Sequence, residues 1–109
     1  VVGLNSDSSV RRLKGKRRPL ISQDERAHIL SALNCVDYLV IFDELTPLNL
    51  LRRLKPDILV KGGDYKKSEV VGADLVESYG GRVALIPVVK GRSTSDIVKR
   101  IVERYGKGV

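Results

Sequence analysis

With 109 residues, 42% apolar and five of them aromatic, the chain has the length for one domain with a core of Leu, Ile and Val. No apolar run approaches the roughly 20 residues of a membrane span, and no secretory leader is visible. The single cysteine, Cys35, excludes an internal disulfide and has no metal-ligand spacing around it, which fits a reducing cytoplasm and a small core residue.

Val1 to Leu4 reads as a short strand ending at Asn5-Ser6-Asp7, and Asp7 to Leu13 as one or two helical turns. A basic loop follows. Arg11, Arg12, Lys14, Lys16, Arg17 and Arg18 hold six positive charges within eight positions, out of a net +7 for the whole chain. Ser22 with Glu25 three residues later is a capping box, so a helix runs from there to about Asn34. The apolar continuity of Tyr38 to Phe42 predicts a buried strand. Thr46-Pro47 places a capping residue before a proline at the first helical position, and that helix stops near Lys55-Pro56. Ile58 to Lys61 is the next strand, closed by Gly62-Gly63-Asp64-Tyr65. Ser68 to Tyr79 is helical with a break near Gly72 and a stop at Gly80-Gly81. Val83 to Val89 is the last strand and Thr94 to Tyr105 the last helix. Strands alternating with helices predict an α/β, Rossmann-like fold, a parallel sheet with helices on both faces.

Ligands of such sheets collect beyond the carboxyl ends of the strands. There, Gly91 to Ile97 joins a hydroxyl-rich turn to a helix start. Backbone N–H groups, the hydroxyls of Ser93, Thr94 and Ser95 and the positive end of the helix dipole can converge on a phosphate. Ser93 with Asp96 also fits a plain helix cap. Lys61 to Tyr65 is a second strand-end turn; its glycines allow close backbone approach, and Asp64 could hold a ribose hydroxyl or a cation-bound phosphate. Arg26 ends an apolar stripe with Ile29, Leu30 and Leu33, one turn into its helix, where its fork suits a phosphate or an ion pair. His28 faces another direction and reads as a surface residue. No carboxylate pair, Cys/His cluster or Ser/His/Asp triad stands out, and no metal ligands are assigned. The run from Arg11 to Arg18 alone fits a nucleoside triphosphate, a nucleic acid or a solvated loop.

Taken in order, several segments closely resemble the cytidylyltransferase-like superfamily, and within it the heptose 1-phosphate adenylyltransferase branch. They are Val-Gly-Leu-Asn-Ser-Asp (2–7), Arg-Leu-Lys-Gly (12–15), Arg-Pro (18–19), Glu-Arg (25–26), Leu-Val-Lys-Gly-Gly-Asp-Tyr (59–65) and Gly-Arg-Ser-Thr-Ser (91–95). The resemblance covers essentially the whole chain. It implies adenylyl transfer from ATP to D-glycero-β-D-manno-heptose 1-phosphate, giving ADP-heptose and pyrophosphate for lipopolysaccharide core synthesis, with Mg2+ entering on ATP. By the same resemblance Ser93, Thr94 and Ser95 form the phosphate turn, with Ser95 in place of a threonine, and Arg26 contacts the triphosphate. Lys14 and Arg18 belong to a mobile loop that neutralises the phosphates, while Asp7, Gly62 and Asp64 lie near the nucleotide. Val88 stands where glycerol-phosphate relatives carry an arginine.

The family also opens with a strand and helix bearing Gly-x-Phe-Asp and His-x-Gly-His, and neither motif occurs here. Residues 1–109 are therefore expected to be the carboxyl-terminal two-thirds of one nucleotidyltransferase domain, inactive alone, from a cytoplasmic protein. A homo-oligomer or a fused sugar kinase domain is left open. The competing class is a nucleic-acid-binding module built on residues 11–18. Scarce aromatics for base stacking and the lack of a helix-turn-helix or zinc pattern weigh against it.

Overall fold

In the computed structural model, which describes residues 1–63 and 65–106, strands and helices alternate along the chain. β1 (Val2–Asn5) leads into α1 (Asp7–Lys14), α2 (Gln23–Ser31), β2 (Leu39–Phe42) and α3 (Leu48–Leu54). After these come β3 (Ile58–Gly62), a 3₁₀ turn (Lys67–Glu69), α4 (Ala73–Ser78), β4 (Arg82–Ile86) and α5 (Thr94–Tyr105). The fold is α/β and Rossmann-like.

Helix starts follow the hydroxyls. Ser6 accepts from the Ser9 N–H, Ser22 from the Glu25 N–H and Ser93 from the Asp96 N–H, each satisfying a donor that has no partner within the helix. Thr46-Pro47 departs from expectation: Pro47 itself holds the cap position of α3, and no side chain caps it. α3 ends on Lys55 in the left-handed region at φ 47°, just before Pro56. The helix expected over 68–79 divides at Gly72, whose φ of 88° separates the 3₁₀ turn from α4. A Cβ at Gly72 would also collide with Cδ1 of Leu51, a core residue. Glycine is thus needed there for the turn and for the packing.

The single sheet forms as two separate ladders. β1 pairs with β2 in parallel, from Val2 opposite Leu39 to Asn5 opposite Phe42. β3 pairs with β4 in parallel, from Ile58 opposite Arg82 to Gly62 opposite Ile86. Among the described residues no ladder joins β1 to β3. A cleft of about 700 Å³ lies there instead, with Gly3 and Asn5 on one side and Ile58 and Val60 on the other.

Packing reflects that gap. The buried apolar residues are Phe42, Leu51, Val70, Ala73 and Val76, a small core for this length. The accessible surface is 8665 Å², against roughly 6,000 Å² for a compact monomer of this mass. The radius of gyration is 16.0 Å, where about 13 Å is usual for the length. Much of the excess is apolar: Val60 and the α5 stripe of Ile97, Ile101 and Tyr105 are each 49–59% exposed. β2 is not the buried strand its composition predicts, since Ile41 is exposed and Phe42 alone is buried. Cys35 is exposed rather than in the core, because α2 ends at Ser31 and leaves it in the following turn. The inward face of α2 carries Gln23, Arg26, Ala27 and Leu30, while Ile29 and Leu33 face solvent.

Gly72→Ala is expected to cost about 1–3 kcal/mol of stability through its left-handed backbone, plus the displacement of Leu51. Gly15→Ala shares the strained backbone, at φ 96°, but its methyl would meet nothing within 4 Å. Urea midpoints should therefore fall further for Gly72→Ala, and equal losses would remove Leu51 as a cause.

Candidate functional site

Buried polar contacts organise the carboxyl end of β1. The Ser6 N–H donates to the Phe42 carbonyl at 2.9 Å. Ser9, fully buried, donates through Oγ to the Glu44 carbonyl at 2.8 Å and accepts from Asn5 Nδ2 at 3.0 Å. These bonds hold the ends of β1 and β2 together and set where α1 starts.

Asp7 is the first residue of α1, and its Oδ1 accepts from Arg26 Nη2 at 2.9 Å. The Asp7 N–H donates to Gln23 Oε1 at 3.0 Å, and Arg26 Nε donates to the Ile21 carbonyl at 3.0 Å. Of the two partners the sequence allows for Arg26, phosphate or carboxylate, the structure holds the carboxylate. Burial pushes the Asp7 carboxyl up, but the Gln23 backbone, the Arg26 guanidinium and the Arg11 charge outweigh it and hold it below the ordinary aspartate value.

The six cations of the basic run have different surroundings. Arg12 turns back onto the protein, donating through Nη2 to the Asp43 carbonyl and through Nε to the Ser8 carbonyl. Lys14, the last residue of α1, lines the cleft together with Thr46, Lys61 and Tyr65. Arg18 crosses to the far end of the chain, where its Nη2 donates to Ser95 Oγ at 3.2 Å.

Ser93 is the cap of α5. Its Oγ accepts from the Asp96 N–H at 3.1 Å and donates to Asp96 Oδ2 at 2.7 Å. That hydroxyl holds the Asp96 carboxyl below its ordinary range; Lys99 and Arg100 add to the effect and burial opposes it. Thr94 and Ser95 form the exposed first turn of the helix.

Gly62 ends β3 in open space, the Gly63 N–H donates to the Ile86 carbonyl at 3.0 Å, and Lys61 Nζ lies 5.2 Å from the Tyr65 ring centroid. Asp64 falls outside the described residues. Two pairs of predicted site residues are thus in contact, Asp7 with Arg26 and Arg18 with Ser95. Neither Gly62 nor the Ser93–Ser95 turn lines the cleft between β1 and β3. β4 stops at Ile86 instead of Val89, and an irregular stretch joins it to the turn before α5. Gln23, Ser9 and Tyr65 escaped sequence reasoning. Gln23 carried a usable signal, because it lies three positions before Arg26 and so on the same helix face.

A family model described as Cytidylyltransferase-like matches residues 1–105. The chain is 68% identical over 108 residues to the Bifunctional protein HldE of Syntrophotalea carbinolica, covering 99% of this chain and 22% of that protein. It is 63% identical over 107 residues to the protein of that name from Geobacter sulfurreducens, covering 98% and 22%. The chain therefore spans 22% of the length of these curated relatives.

The lowered Asp7 value has a pH consequence. A carboxyl held below its unfolded value of 3.8 contributes stability that is complete above that pH and is lost as the pH falls through the folded value. Urea midpoints measured from pH 5 downward should converge for the parent chain and Asp7→Asn below about pH 3.8, and parallel curves would deny the pair a role in stability. Ser93→Ala removes the cap and is expected to cost about 0.5–2 kcal/mol, seen as faster amide exchange confined to α5.

Proposed function

Because the chain belongs to the cytidylyltransferase-like family, and is a nucleotidyltransferase by that membership, we propose that it serves adenylyl transfer from ATP to D-glycero-β-D-manno-heptose 1-phosphate. The products would be ADP-heptose and pyrophosphate, on the route to the lipopolysaccharide core. The observation that carries this proposal is the hydrogen bond from Arg18 to Ser95. It closes a loop bearing Lys16, Arg17 and Arg18 onto the hydroxyl-bearing start of a 12-residue helix, and sets a guanidinium beside the Ser95 hydroxyl in the first helical turn. Such donors suit a triphosphate.

A sugar-phosphate oxygen would attack the α-phosphorus of ATP while the bond to the bridging oxygen breaks and pyrophosphate leaves with the electron pair. The chain's part is positioning and charge neutralisation. Arg18 and Lys14 would face the phosphates, Thr94 and Ser95 would donate from the helix start, and Gly62 and Asp64 would lie along the nucleotide. Magnesium is assigned to the triphosphate, where it would neutralise phosphate charge. The Asp7 carboxylate at the start of α1 is engaged with Arg26.

We further propose that residues 1–109 form the carboxyl-terminal two-thirds of the domain. Supporting this are β1 and β3, each paired on one side only, the cleft between them and the bare α5 stripe. One more strand paired to both, with its helix, would cover the excess surface. The relatives' description as bifunctional and the 22% coverage support attachment to a second domain, for which a sugar kinase is our proposal. ATP as substrate places the protein in the cytoplasm.

Pyrophosphate release with ATP and the heptose 1-phosphate tests the proposal. The chain alone should stay at background, and the chain joined to the family's amino-terminal strand and helix should turn over. Turnover by the chain alone would move the catalytic centre elsewhere, and a completed domain inert toward this sugar phosphate would overturn the substrate. ATP should also shield Lys16 and Arg17 from trypsin where duplex DNA does not; the opposite result would favour the nucleic-acid-binding class.

A further inference from the structure

The basic loop, residues 15–22, is framed by α1 before it and α2 after it, and three hydrogen bonds close that frame. Arg26 Nη2 reaches Asp7 Oδ1 at 2.9 Å, Arg26 Nε reaches the Ile21 carbonyl at 3.0 Å, and the Asp7 N–H reaches Gln23 Oε1 at 3.0 Å. Arg26 therefore commits two of its donors to protein, Nη2 to the first residue of α1 and Nε to the end of the loop. The Arg26 and Asp7 side chains are 20% and 26% exposed. Turning Arg26 toward a phosphate would leave a largely covered carboxylate without its cation and the Ile21 carbonyl without its donor. Meanwhile Arg18, inside the same loop, reaches Ser95.

We propose that Arg26 is a positioning residue. With Asp7 and Gln23 it buckles the root of the basic loop, so that Arg18 is held over the start of α5, and it acts on phosphate through the loop without touching it. The consequence for nucleotide binding rests on the proposed function; the buckle itself does not. Arginine suits the position because donors on two separate nitrogens of a rigid plane serve Asp7 and Ile21 at once, a spacing that the single nitrogen of an ammonium does not reproduce.

Trypsin digestion of the 109-residue chain reads the buckle directly. Lys16 and Arg17 report the loop, and Arg53 in α3 is the internal standard. Asp7→Asn, Arg26→Lys and Arg26→Gln should each speed loop cleavage about two- to fivefold relative to Arg53, the range for losing a partly exposed ion pair. The Asp7→Asn/Arg26→Gln double variant should add little to either single change, because both break one unit. If Arg26→Gln unfolds, cleavage at Arg53 rises with the rest, and the milder Asp7→Asn and Arg26→Lys decide. Parental loop cleavage in those two overturns the buckle.

Titrating ATP into the completed domain separates the roles. A positioning Arg26 predicts that Asp7→Asn and Arg26→Gln weaken ATP binding alike. If Arg26 bound phosphate itself, Asp7→Asn would free it, and affinity would hold or rise while Arg26→Gln lost it; that pattern overturns the assignment. A parent domain that binds no ATP would sink the nucleotide proposal and leave the digestion result standing.

Discussion

Parallel strands tolerate exposure poorly, because their ladders are evenly spaced and slanted and both faces and edges are ordinarily covered. Here β1 and β3 each have one partner, and they face a common cleft. The other unusual features follow from that constraint. Val60 projects from β3 without a covering layer, and α5 carries its apolar stripe away from any core. The molecule stretches to 55 Å along its longest axis. An open parallel edge is also a template for another strand, so the geometry that leaves this chain loose is the geometry that would let it be completed.

What is tight is polar and local. Ser9 is fully buried, yet both of its hydrogen-bonding functions are met, by Asn5 and by the Glu44 carbonyl. A buried hydroxyl left unpaired would cost about 1–3 kcal/mol, so this junction specifies one relation between the ends of β1 and β2. From it α1 starts, from α1 the Asp7–Arg26 pair reaches α2, and between the two helices runs the cationic loop. The elements on this side of the cleft are thus ordered by hydrogen bonds more than by apolar burial.

Elements governed by their own residues were legible in the sequence. Ser22 with Glu25 marked the start of α2, Gly72 marked the break before α4, and α5 has the predicted bounds. Features that depend on distant partners were not. Apolar continuity in Tyr38 to Phe42 predicts burial only if something lies on top of the strand, and Ile41 has no such cover. Cys35 was expected in the core as a lone, small, weakly polar residue, and it lies instead in the exposed turn after α2. Arg26 illustrates the limit for the site: its type and position announce a partner for a guanidinium, but nothing local distinguishes a phosphate from Asp7, nineteen residues earlier. The hydroxyl turn was legible as a helix start, whereas the end of β4 at Ile86 was not.

The start of α5 shows why a cap and an anion site need not compete. Ser93 satisfies the N–H of Asp96, and in doing so it draws the Asp96 carboxylate into the first turn. A carboxylate there complements the helix dipole but repels an incoming phosphate. Two features offset that repulsion. Arg100 and Lys99 lie one turn further along and share the Asp96 charge, and Arg100 also donates to the Gly91 carbonyl. Arg18 then brings an external cation to Ser95, next to Asp96 in the chain. A helix start that keeps its own acidic cap therefore gains further positive charge where the basic loop lies across it. The contact from Arg18 to Ser95 makes the charge presented at the start of α5 a property of the loop and the helix together.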